Sequence, residues 1–197
     1  MSLLPYASLA HRRKSFRVTG DVVLLSTQTA SDSASLDFTS GITSTYGEYI
    51  FKFYNINPAT DEAEFTFNGS VDGGSNYNVT KTSTFFQASH KEDDANTEFT
   101  YETGEDHAQA TGFQTLARNL GSAADESGAG ELHLFNPAST TYVKHFYGRA
   151  VDCGGGVPRI WDNFSAGYFN ITSAINAAQF KMSSGNFDGT IKMWGVK

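Results

Sequence analysis

The side chains able to do chemistry are few and scattered. The chain has one cysteine, Cys153, and five histidines, His11, His90, His107, His133 and His145. No two histidines stand at i, i+2 or i+4, the spacings that bring two imidazoles to one face of a strand or helix, so no histidine metal centre is expected. Cys153 has no disulfide partner, and with His145 it lacks the setting of a thiol nucleophile. Asp93, Asp94, Asn96 and Glu98 carry oxygen ligands, but without the twelve-residue loop and central glycine of a calcium site they read as solvated acids. Glu62 and Glu64 have the period-two spacing of a glycosidase carboxylate pair. They sit at a turn and a strand start, where solvated charge is the reading. Sequons at Asn68, Asn78, Asn163 and Asn170 follow from a composition rich in Asn, Ser and Thr. The expectation is no catalytic residue, no metal and no cofactor.

Stepping out from these residues, composition favours β structure. Of 197 residues, 16 are Phe and 9 Tyr, against 4 Pro and 1 Cys, which suits a sheet protein held by aromatic packing rather than by disulfides. Charge is uneven. Four of the 14 basic residues, Arg12, Arg13, Lys14 and Arg17, fall in the first seventeen positions, which hold no acid. The remainder carries 10 positive against 21 negative charges, a net of -11. An acidic body repels phosphate backbones, so nucleic acid is not an expected partner. The apolar stretch Leu3 to Ala10 precedes the basic cluster, the reverse of a signal peptide, and no run approaches the length of a membrane span.

Alternation predicts strands over Asp21–Ser26, Ala34–Thr39, Tyr46–Asn55, Ala63–Val71, Asn78–Ser89, Gly130–Asn136, Thr140–Ala150, Phe164–Ser173, Ala177–Met182 and Gly189–Val196. Tyr49, Phe51 and Phe53 fall on one face with Lys52 on the other, and Phe65 and Phe67 alternate with Glu64 and Thr66. Leu132 and Leu134 alternate with Glu131 and His133 in the same way. Turn chemistry at Asn57-Pro58-Ala59-Thr60-Asp61 and Asp72-Gly73-Gly74-Ser75-Asn76 separates the strands. His90 to Gly128 reads as a long acidic loop, interrupted at Phe113 to Leu120 by a short strand crossing between sheets. Asp152 to Asp162, with its triple glycine, reads as a surface loop whose Trp161 folds back as a plug or meets a partner, the plug being preferred. The final alternating pair of strands predicts a complete β domain. The fold expected is all-β, an antiparallel two-sheet sandwich of jelly-roll or concanavalin-like form over residues 18–197, with an extended basic arm at 1–17.

Three blocks carry a resemblance. Glu48–Thr60 (EYIFKFYNINPAT), Leu132–Phe146 (LHLFNPASTTYVKHF), and Gln179–Asn186 (QFKMSSGN) running on to Gly189–Val196 (GTIKMWGV) resemble, in that order, a family of tailed-bacteriophage proteins from marine environments. The resemblance spans residues 22 to 197 and brings no catalytic motif. It implies a non-enzymatic virion component, a capsid decoration or cement protein, assembled in the bacterial host cytoplasm. The partners implied are a major capsid or tail protein and further copies of the chain, with a trimer favoured by capsid geometry. The arm with Arg12, Arg13, Lys14 and Arg17 lies outside the resemblance and is expected to attach to a neighbouring subunit. The alternative is a tail-fibre or receptor-binding module, with Tyr101, Trp161 or Tyr168 stacking on a host glycan. A glycan hydrolase on the same sandwich is a third reading.

Overall fold

The described residues form twelve strands, all paired antiparallel, and no helix, with clean apolar–polar alternation in strands such as Glu48–Pro58 and Phe187–Val196. The computed structural model describes residues 21–156 and 158–197, so the arm with Arg12, Arg13, Lys14 and Arg17 lies outside them. In chain order the strands are β1 (Val22–Ser33), β2 (Leu36–Phe38), β3 (Glu48–Pro58), β4 (Ala63–Ser70), β5 (Lys81–Lys91) and β6 (Thr97–Tyr101). They continue with β7 (Gln114–Leu120), β8 (Gly128–Phe135), β9 (Lys144–Cys153), β10 (Arg159–Phe169), β11 (Ala177–Met182) and β12 (Phe187–Val196). One sheet has eight strands in the order β1-β12-β3-β8-β9-β10-β5-β6, and the other has four, β2-β11-β4-β7.

Within this arrangement β1-β12-β3-β8 faces β2-β11-β4-β7, and the chain steps from sheet to sheet at almost every connection. That is the strand order of a jelly roll, two interlocked Greek keys. The strands β9-β10-β5-β6 extend the larger sheet beyond β8. The two-sheet sandwich expected from the sequence is therefore present, in its jelly-roll form.

Phenylalanine fills the space between the sheets. Phe180 on β11 lies 5.2 Å, centroid to centroid, from Phe51 and 5.9 Å from both Phe38 and Phe65, and it also stacks against Phe67 at 6.2 Å. All five are at most 1% exposed. Edge-to-face and offset pairs of this kind add about 0.5–1.5 kcal/mol each to what burial alone provides. Tyr49 brings a hydroxyl into the same layer at no cost in lost hydrogen bonds. It accepts from Thr43 N at 2.7 Å and donates to Thr43 O at 2.8 Å. Where β3 and β12 pass each other, both registers shift, with Asn55 at φ 55° and Gly189 at φ 146°. A Cβ on Gly189 would lie 2.7 Å from Ile56 Cδ1 and 2.9 Å from Asn55 O, so only glycine fits this bulge.

The extension has a different interior. On β5 the inward positions are Lys81, Ser83, Phe85, Gln87 and Ser89, and on β10 they include Asn163 and Ser165, all buried. Lys81 and Lys144 flank Phe169 in register and are both fully buried. Each ammonium donates to a backbone carbonyl, Lys81 to Gly112 O and Lys144 to Ile171 O at 3.0 Å. Burial alone lowers both amines, Lys81 to about 8.

Several sequence expectations are corrected. The Asp152–Asp162 segment is the end of a hairpin rather than a long loop, because β9 runs to Cys153 and β10 begins at Arg159. The acidic stretch from His90 contains β6 as well as the expected short strand, and that strand, β7, is the edge of the smaller sheet rather than a crossing. Strand starts read at Tyr46, Asn78 and Thr140 fall instead at Glu48, Lys81 and Lys144, after polar residues whose backbones bond to loops.

Phe180→Ala should destabilise the protein by about 3–5 kcal/mol, with an unchanged denaturant slope, in equilibrium unfolding. Lys81 binds fewer protons folded than unfolded between pH 8 and 10.5, so stability rises with pH across that window. Lys81→Met should therefore raise stability at pH 7 by roughly 1–3 kcal/mol and flatten the rise. Gly112 O keeps the Asn68 amide as a donor at 3.4 Å.

Candidate docking face

The outer face of the eight-stranded sheet carries large apolar side chains among its polar ones, where an exposed sheet face is ordinarily polar. Nine large hydrophobic side chains are exposed among the described residues, and seven of them, Val22, Leu24, Phe99, Tyr101, Tyr147, Val151 and Ile160, project from this face. Each alternates with an inward residue, so one pattern that fills the core also lays an aromatic surface on its back. Phe99 lies 5.5 Å from Phe86, which stacks on Phe164 at 4.9 Å and 10°. The Arg149 guanidinium covers the Phe164 ring at 5.1 Å.

Several ionic groups on this face are paired, while Lys192 stands opposite Lys52 with its ammonium 5.6 Å over the Tyr54 ring. Arg149 makes a two-point bond to Asp162, Nε to Oδ1 at 2.9 Å and Nη2 to Oδ2 at 2.7 Å, which raises the guanidinium further. His133 is 9% exposed, stacked on Tyr147 at 4.5 Å and 15°. Its Nδ1 lies 2.5 Å from Glu48 Oε1 and its Nε2 3.3 Å from Glu131 Oε1. Lys52 reaches Glu131 at 3.4 Å. Burial would raise the Glu131 carboxyl, yet His133 and Lys52 together hold it below its ordinary value. Burial, with Glu48 and Glu131 nearby, raises the Tyr147 hydroxyl.

Two adjoining grooves cross the face. One, of about 430 Å³, is lined by Thr84, Phe135, His145, Tyr147, Ala166 and Tyr168. The other, of about 500 Å³, shares Phe135 and His145 and extends to Tyr142, which is 72% exposed. Of the three aromatic contact residues expected from sequence, Tyr168 lines the first groove. Tyr101 stands on the same face at β6, its hydroxyl donating to Asp106 at 2.7 Å. Trp161 does not join them. It faces inward from β10, half-buried, with the Arg159 guanidinium 4.9 Å over its ring, so the folded-back plug describes it better than a contact residue.

The other candidates stay apart. Cys153 and His145 occupy opposite ends of β9, and the Cys153 thiol meets Ser127. His90 pairs with Asp94 at 3.0 Å. Among the described residues no group of three or more His, Cys, Asp or Glu side chains is placed to hold a metal ion. Asn68 and Asn163 are fully buried, so those two sequons offer no acceptor for sugar. Glu62 is exposed at a turn, but Glu64 is not simply solvated. Burial first, and then the adjacent Glu105, raise its carboxyl, partly offset by Arg118.

A buried polar tract went unread in the sequence. Arg118 on β7 binds Glu102 at 2.7 Å and Glu105 at 3.4 Å, Glu102 accepts from Gln87 at 2.9 Å, and Thr115 donates to Glu105 at 2.8 Å. Beside Gln87 in register stands Asn163, which donates to Asp152 at 2.8 Å. A signal for it existed. Ser83, Gln87 and Ser89 put polar groups on the inward parity of β5, where a strand packed against a second sheet would be apolar. Comparison with protein-family models, with curated proteins and with solved structures finds no match to this chain.

Proposed function

We propose that this chain is a structural component of a tailed-phage virion, a decoration or cement protein that docks on neighbouring capsid proteins through the outer face of its large sheet. The observation that carries this reading is seven exposed large hydrophobics on one sheet face, set among the ion pairs Lys52–Glu131 and Arg149–Asp162. A face of this kind gains from being covered. Tyrosine and arginine at its centre are the residue types that anchor protein interfaces. The three sequence blocks that resemble marine tailed-phage proteins suggest the setting. In this reading the protein binds without transforming a substrate, joins the particle after synthesis in the host cytoplasm, and associates with further copies of itself, as a trimer where capsid symmetry sets the number. The basic arm, with Arg12, Arg13, Lys14 and Arg17, serves as a second attachment.

One feature favours a second reading. The groove between Tyr147 and Tyr168 offers two rings to a sugar face with His145 and Thr84 as hydrogen-bonding groups, which suits a tail-borne glycan adhesin. It offers few polar groups for orienting a sugar, and this leaves protein docking as the better fit.

Ala166→Arg places a charged chain in the groove at an exposed position, and Tyr147→Glu does the same beside it. Both should leave the fold intact while cutting co-sedimentation with particles stripped of the protein by tenfold or more. Removing residues 1–17 should weaken the same binding. Undiminished binding by both face variants would overturn docking through this face. Immunogold label on the tail, with glycan-array binding lost in Tyr168→Ala, would select the adhesin instead.

A further inference from the structure

At the end of the β9–β10 hairpin two polar side chains meet with one hydrogen bond where their chemistry allows two. Asp152 is 2% exposed and Asn163 fully buried. Asn163 Nδ2 donates to Asp152 Oδ2 at 2.8 Å and lies 3.4 Å from Ala150 O. The second prong of each fork, Asp152 Oδ1 and Asn163 Oδ1, is buried without a donor. An ionised carboxylate and an amide carbonyl are both acceptors, so in that state both oxygens stay unsatisfied and a charge is buried alone. A proton on Oδ1 makes it the donor that Asn163 Oδ1 lacks.

The surroundings supply no competing charge. In register, Asp152 lies between Gly128 on β8 and Trp161 on β10, and Leu120 of β7 closes over Gly128. The nearest strand of the extension, β5, presents neutral Gln87 and Ser89. Arg118 on β7 is taken by Glu102 and Glu105, Arg159 on β10 lies 3.8 Å from Glu98, and the Cys153 thiol is engaged with Ser127. None of these ions pairs with Asp152.

We propose that Asp152 is held as a neutral carboxylic acid in a two-point pair with the Asn163 carboxamide, N–H to Oδ2 and O–H to Oδ1, and that this pair latches the end of the β9–β10 hairpin until the acid loses its proton. Desolvation is the main cause of the acid's retention, pushing its midpoint to about 8. When the proton leaves for solvent, two acceptor oxygens face each other and the hairpin end loosens. That end forms one wall of a cavity of about 500 Å³ lined by Glu92, Asp125, Glu126, Cys153 and Arg159, so the latch sets the shape of an acidic recess at this pole of the sandwich.

The folded state keeps a proton that the unfolded state gives up between pH 3.8 and about 8, so the latch contributes a stability that falls as pH rises through that window. Side-chain carboxyl ¹³C NMR on the whole, unsubstituted chain should show one aspartate titrating near 8. In a Trp194→Phe background, emission from Trp161, in register with Asp152, should shift to the red over the same range, and amide exchange should rise at residues 150–163. Asp152→Asn should preserve the fold through an amide–amide pair and abolish every one of these pH effects. An Asp152 carboxyl that titrates below pH 5 overturns the neutral pair. Titration near 8 with no change in Trp161 emission or hairpin exchange overturns the latch.

Discussion

Four strands cannot cover eight, and this mismatch governs the molecule. Where β1-β12-β3-β8 meets β2-β11-β4-β7 the sheets match in width, and the space between them is filled by phenylalanine around Phe180. Beyond β8 the extension is covered by the margin of the smaller sheet, where Phe67 of β4 packs on Phe146 and Phe169. Its inner side is roofed by β7, whose Arg118 and Thr115 reach the carboxylates of Glu102 and Glu105. A narrow roof buries these positions without enclosing them fully in hydrocarbon, and the polar groups that settle there are satisfied in part, as Gln87 Nε2 is by Glu102, while Ser165 Oγ and Asn163 Oδ1 have no partner. Buried lysines, the partly exposed Arg118 with its two acids, and the Asp152–Asn163 pair all belong to this half.

The two faces of the large sheet thus divide the work. The inner face under the small sheet supplies stability through aromatic packing, and the outer face presents aromatic surface to solvent. Pairing Arg149 with Asp162, and Lys52 with Glu131, offsets part of the charge on that outer surface, although the body of the chain is strongly acidic. Copies or neighbours that would be repelled elsewhere meet less opposition there.

Legibility followed the same division. The jelly-roll half was readable because Tyr49, Phe51 and Phe53, or Leu132 and Leu134, alternate cleanly with polar residues, and that period survives any rearrangement of loops. The extension was harder. Its strands are polar on the inward parity, so β5 kept its span only roughly and β6, with Phe99 as an isolated apolar residue among Thr and Glu, had no pattern to declare it. Trp161 was misplaced because the glycines before it suggested a loop, when they form the narrow end of a hairpin. The docking face was legible only residue by residue. Tyr168 and Tyr101 were named as contact candidates, but that they share a surface with Tyr147 and Ile160 depends on which strands are neighbours, and β5 beside β10 joins segments far apart in sequence. The partnership of Asp152 with Asn163 is a diagonal contact across a hairpin, fixed by register.

The strand order also constrains how such a chain can be made. β12 lies between β1 and β3, and β11 between β2 and β4, so each of these strands, late among those described, is inserted between two that precede it in the sequence. A nascent chain that stops short of residue 177 leaves four unsatisfied backbone edges facing two empty slots, and leaves Phe38, Phe51 and Phe65 without their contact to Phe180. Productive folding is therefore a late, concerted closure dominated by distant pairings, slow by topology, and the half-made protein is most exposed to sticking to its own kind during that interval.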